Sequence, residues 1–149
     1  MKRLSVTVTL GALLTLATGE VAYAGSRSQP LAVDAKCPQS LARAASNVIT
    51  LNVLNKGDTT RTITRFAISY AGNTPLAGLI ISGPFVQPVT SVTLPPGGTQ
   101  QFMLNFPPVP SVYPLGTVIT AIGAIFVRNG SVGSGGILGA GNCLAPVVP

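Results

Sequence analysis

The run SVTLPPGGTQQFMLNF, residues 91–106, constrains this chain more than any other stretch. Val92 and Leu94 share one face before Pro95-Pro96-Gly97-Gly98. After that tetrapeptide Gln100, Phe102, Leu104 and Phe106 share one face, and Thr99, Gln101, Met103 and Asn105 the other. A side-chain period of two belongs to an extended strand with one buried face. Pro fixes φ and Gly accepts the positive φ that a tight reversal needs. The stretch reads as strand, turn, strand: a β-hairpin around which the rest is organised.

The same pattern recurs along the chain. Asn47–Asn55 puts Ile49, Leu51 and Val53 on one face, and Asn55-Lys56-Gly57-Asp58 is turn chemistry. Residues 59–70 are the longest strand candidate, with Thr62, Thr64, Phe66, Ile68 and Tyr70 on one face and Arg61, Ile63 and Arg65 on the other. Ala71 to Pro75 then reads as a turn and 76–82 as a short strand, with Gly83-Pro84 and Pro88 interrupting the path to Val89. Pro107 to Pro114 reads as a stiff connection. Residues 117–128 are apolar on both faces, the mark of a central or covered strand. Residues 129–141 hold six Gly, so they read as a poor strand, and 144–149 as a Pro-flanked tail. Residues 39–46 are left open between a helical turn and a loop. The sum is about seven short strands and no long helix, an all-β sandwich.

Residues 1–24 carry the pattern of a secretory signal peptide: Lys2-Arg3, an apolar run over 4–17, and the small-x-small site Ala22-Tyr23-Ala24. Cleavage is expected before Gly25, leaving a single sandwich domain over 25–149 and no membrane span. The expected location is extracellular, at the cell surface or periplasmic. In an exported chain Cys37 and Cys143, the only cysteines, are expected to form one structural disulfide.

Composition narrows the function by exclusion. Only 8% of residues are charged, the formal charge is +6, and there is no His or Trp. From Phe66 onward a single charge, Arg128, remains. Spread cations without stacking aromatics do not make a nucleic-acid surface. Asp34 and Asp58 are the only carboxylates beyond the signal sequence, too few with two cysteines to hold a metal, and no His stands ready as a base for a Ser nucleophile. No phosphate-cradling motif occurs in the Gly-rich stretch. Asn129-Gly130-Ser131 has the form of a glycosylation sequon, which signals an exposed loop. The chain is therefore expected to be non-enzymatic, without cofactor or metal.

The order of Asn47–Asn55, 59–70, 94–106 and 117–128 resembles small immunoglobulin-like bacterial and archaeal surface modules such as the CARDB-type adhesion domain. The matching residues are Leu51-Asn52-Val53-Leu54-Asn55-Lys56-Gly57 and Leu94-Pro95-Pro96-Gly97-Gly98. The resemblance implies an immunoglobulin-like fold and an extracellular assembly or adhesion role, and it brings no catalytic residue. The expected function is a secreted or cell-surface structural protein, a filament or assembly subunit partnered by itself or another surface protein. The alternative is a periplasmic or secreted ligand- or protein-binding module. Leu31, Val33 and Ala35 alternate in a short strand signal. They are read either as the first strand of their own sandwich or as a segment added to the open edge of 117–128 in a neighbour.

Overall fold

The computed structural model describes residues 29–126 and 136–149. Residues 1–24, read as a signal peptide, Arg128 and the Asn129 sequon lie outside the described residues. Among these there is no helix, and eight strands: β1 Leu31–Lys36, β2 Leu41–Ala42, β3 Asn47–Asn55, β4 Arg61–Thr74, β5 Gly78–Leu94, β6 Thr99–Phe106, β7 Val118–Phe126 and β8 Ile137–Val148. They form an immunoglobulin-like β-sandwich, with sheets ordered β1-β3-β6 and β2-β8-β7-β4-β5.

The core follows the predicted alternation. Ile49, Leu51 and Val53 of β3 and Phe102, Leu104 and Phe106 of β6 are buried against Phe66, Ile68 and Tyr70 of β4 and Ile119, Ala121 and Ile125 of β7. Phe66 meets Phe102 edge-on at 5.0 Å, and Tyr70 tilts against Phe106 at 5.8 Å. Strand β7 lies between β4 and β8 in the sheet; its second apolar face looks outward, with Ile122 and Ala124 buried and Val118 exposed.

Four expectations are corrected. First, 91–106 is not a hairpin: β5 belongs to the five-stranded sheet and β6 to the other, so Pro95 to Gly98 forms an arch between layers. Gly97, at φ 76°, donates its N–H to the Asn55 carbonyl, and Asn55 N–H bonds Gly98 O. The arch is thus tied to β3. Second, β4 runs through Thr74, and 78–94 is one strand containing a cis Gly83–Pro84 bond. Pro84 and Pro88 sit at the two register shifts of the β4–β5 ladder, and β5 continues past them because it is an edge strand, where prolines and bulges are tolerated. Third, Ile63 is buried with Phe66 instead of sharing the arginines' face. The pairing with β5 slips between Ile63 and Arg65, and the alternation changes phase there. Fourth, the stretch read as poor strand and tail contains β8. Its glycines face the core, where Gly139 and Gly141 lie under the Leu31 and Val33 carbonyls of β1. A β-carbon on Gly141 would sit 2.5 Å from Val33 O, so close approach of the two sheets offsets the poor strand propensity of Gly.

Buried asparagines bound β3 at both ends. At its end, Asn55 Nδ2 donates to Thr59 O and Leu94 O, each at 2.9 Å, and Oδ1 accepts from Gly57 N–H at 3.0 Å. At its start, Asn47 bonds both main-chain groups of Ala42 and donates to Tyr70 Oη at 3.0 Å, which itself donates to Pro107 O. The Tyr113 hydroxyl, carried in by the β6–β7 connection, faces Tyr70 O, Ile80 O and Ser82 Oγ within 3.1 Å.

Burial pushes the Tyr70 phenol up to about 12, against a smaller downward pull from the Asn47 hydrogen bond. The folded protein therefore favours the neutral phenol more than the unfolded chain does. Its contribution is fully present below about pH 10 and is lost as pH rises from about 10 to about 12. A shift of this size corresponds to about 3 kcal/mol. Urea unfolding at intervals across that window is expected to show the decline, and Tyr70→Phe is expected to flatten it; equal slopes in the two proteins would refute the assignment.

Candidate functional site

The cysteines come together as expected. Cys37, just past β1, is bonded to Cys143 in β8 across a sequence separation of 106, with Cα atoms 5.5 Å apart. The bond joins one sheet to the other beside the Gly139–Gly141 contact. Leu31, Val33 and Ala35 pair in register with Asn55, Val53 and Leu51 of the same chain. The open β7 edge on which strand exchange depended is occupied, because β8 pairs with β7 from Val118↔Pro146 to Phe126↔Ile137. Among the described residues no three His, Cys, Asp or Glu side chains gather where they could hold a metal ion.

The chemistry of the surface lies in the two outer sheet faces. On the five-stranded sheet, register aligns Ile81, Ala71, Thr120 and Leu144 in one row across β5, β4, β7 and β8. A second row runs Val86, Ala67, Ala124, Ala140, and its middle residues Ala67 and Ala124 are buried with Ile137 and Ala140 packed against them. Leu79 on β5 and Val118 on β7 continue the apolar character toward one end. Leu79, Ile81, Val86, Val118 and Leu144 are each between 55% and 61% exposed. Strands β5, β7 and β8 carry no charged residue, and β4 has none after Arg65. At a strand spacing of about 4.8 Å, each row spans about 14 Å. Nothing titratable stands on these rows, so what the face offers is chiefly desolvation and shape.

The three-stranded sheet presents a different face. Its rows read Ala32–Leu54–Thr99 and Asp34–Asn52–Gln101, with Gln101 Nε2 donating to Asn52 Oδ1 at 3.0 Å. These residues border a shallow depression of about 460 Å³. A second depression, about 400 Å³, lies at the β3–β4 arch between Lys56, Asp58 and Arg61. The described cations sit here, on β1, on β4 before Ala67, and at Arg43, whose guanidinium donates to Ser111 O.

Sequence reading missed Leu79, Ile81, Val86 and Leu144 as members of one surface. Its one trace was the second apolar face of 117–128, which includes Val118.

No family model matches the chain, and no curated protein does. Among solved structures it is similar to the CARDB domain of PF1109 from Pyrococcus furiosus. The solution structure of that domain is 15% identical with a TM-score of 0.47, covering 80% of this chain and 94% of that one. The crystal structure of the same domain in complex with di-metal ions is 15% identical with a TM-score of 0.43, covering 79% and 87%. The DNA glycosylase AlkC of Pseudomonas fluorescens is 8% identical with a TM-score of 0.45, covering 91% of this chain and 33% of that one. Of these, the CARDB domain represents the group of modules whose strand and turn order this sequence resembles.

Proposed function

We propose that this chain is a non-enzymatic structural subunit of an extracellular or cell-surface assembly, exported behind residues 1–24, and that it associates through the outer face of its five-stranded sheet. The observation that carries the reading is the uncharged face built from Leu79, Ile81, Val86, Val118 and Leu144. Exposed apolar side chains on an uncharged sheet face offer a place for another molecule to sit. The disulfide supports an oxidising location. The runner-up is a binding module using the amide-rich depression beside Asp34, Asn52 and Gln101.

Placing lysine at both ends of one row, Ile81→Lys with Leu144→Lys, is expected to abolish association through this face and shrink the assembly, with little change in melting temperature, since both side chains are exposed. Sedimentation and electron microscopy of the purified exported protein read the outcome. A parent protein that stays monomeric at high concentration overturns the proposal, and so does a double variant that assembles as before.

A further inference from the structure

Among the described residues each sheet edge has its own protection except one. The β1 edge lies over Gly139 and Gly141 of β8 and is tied by the disulfide. Strand β5 has Pro84 and Pro88, which offer no N–H, and β2 is two residues long. Strand β6, TQQFMLNF, has no proline, glycine, charge or register shift along its eight residues. A flat, uncharged edge of that kind is a template for another strand.

The direction of its main-chain groups follows from the ladder. Asn55 N–H bonds Gly98 O, one step outside the Leu54–Thr99 pair. In an antiparallel ladder this makes Leu54–Thr99 a non-hydrogen-bonded pair. Gln100, Phe102, Leu104 and Phe106 then exchange bonds with β3. Thr99, Gln101, Met103 and Asn105 turn their N–H and C=O groups to the open edge. Gln100 Nε2 donating to Gln101 O at 2.9 Å fits that assignment, because a side chain there covers a carbonyl that has no strand beside it.

We propose that β6 pairs antiparallel with β6 of a second copy, across a two-fold axis at Met103. The register is self-complementary. Met103, 70% exposed, lies opposite Met103, and Gln101 lies opposite Asn105, amide to amide. These residues are the ones with free main-chain groups, so the new ladder continues the alternation of the old one. A second copy is the occupant because neither β6 nor β3 carries a charge in a chain of net +6. Two copies meet there without like charges, and a charged partner strand finds no counter-charge. The product is one six-stranded sheet, β1-β3-β6 joined to β6-β3-β1. This contact is independent of the proposed face contact on the other layer.

Met103→Cys tests the geometry on the exported chain, whose own cysteines are bonded to each other. Hydrogen-bonded antiparallel partners have Cα atoms about 5.5 Å apart, within disulfide reach. The expected result is a covalent dimer on mild oxidation, forming far faster than with Asn105→Cys, which faces Gln101 and not itself. Met103→Lys places two cations at the axis and is expected to weaken dimerisation about tenfold or more. Equal cross-linking by the two cysteine variants overturns the proposal. So does a dimer that Met103→Lys leaves intact while Ile81→Lys with Leu144→Lys abolishes it; that pattern keeps the face and removes the edge. A dimer that survives the lysines on the face and is lost with Met103→Lys does the reverse.

Discussion

Asn55→Ala is expected to lower the stability of this domain by about 4 kcal/mol, a large part of the 5–15 kcal/mol that holds a typical fold. The side chain is fully buried where two arches meet. One amide nitrogen holds Thr59 O, on the way into β4, and Leu94 O, where β5 ends. The amide oxygen holds Gly57 N–H inside the β3–β4 arch. Alanine leaves three main-chain groups without their partner: the Leu94 bond is buried and its loss costs about 1–3 kcal/mol, while the part-buried bonds to Thr59 O and Gly57 N–H cost less each because water reaches them. The Asn55 main chain still bonds Gly97 and Gly98, so β3 and β6 stay in register while both arches loosen. Asn55→Asp is expected to be no better, because a carboxylate can accept from Gly57 but faces two carbonyl oxygens. Urea unfolding reads the change as a lower midpoint at constant slope. A loss under about 1 kcal/mol would mean that main-chain bonds alone hold the arches.

That residue also shows where sequence reading stops. The buried faces of β3 and β6 were legible because each alternation is local: one strand carries its own pattern. The turn chemistry around Pro95 to Gly98 was legible too, but a turn does not state whether the strands on either side of it pair with each other. Here Val92 and Leu94 lie in one layer and Phe102 and Leu104 in the other, and the atoms that decide it belong to Asn55, far away in sequence. The reading of 129–141 as a poor strand failed for a related reason. Glycine's cost is local, whereas the benefit at Gly139 and Gly141 comes from β1, more than a hundred residues earlier. The phase change after Ile63 left no local mark, since it arises from slippage against β5. The candidate surface was the least legible part. Ile81 and Leu144 each look like an unremarkable aliphatic residue, and only the register through Ala71 and Thr120 puts them in one row.

The second large effect is expected at the seam between β1 and β8. Replacing Cys37 and Cys143 together by alanine releases a loop of 106 residues in the unfolded chain. In the chain-entropy account a loop of about that length is worth up to about 4.7 kcal/mol. The folded state is affected as well, because β1 has ladder bonds on one side only, to β3, and its other edge rests on β8. Amide hydrogen exchange is therefore expected to rise first in Leu31–Lys36, while β3 and β6 keep their protection. Gly141→Ala strains the same seam from the other strand, by driving a β-carbon toward Val33 O. With the disulfide intact, β1 cannot move away easily, and the overlap is expected to be costly. Without it, β1 can lift, so part of the cost disappears. The two changes are expected to couple, the triple variant being more stable than the sum of the separate losses implies. Strict additivity would show that the disulfide and the glycine contact act on β1 independently, and that the close approach of β1 to β8 does not depend on the bond beside it.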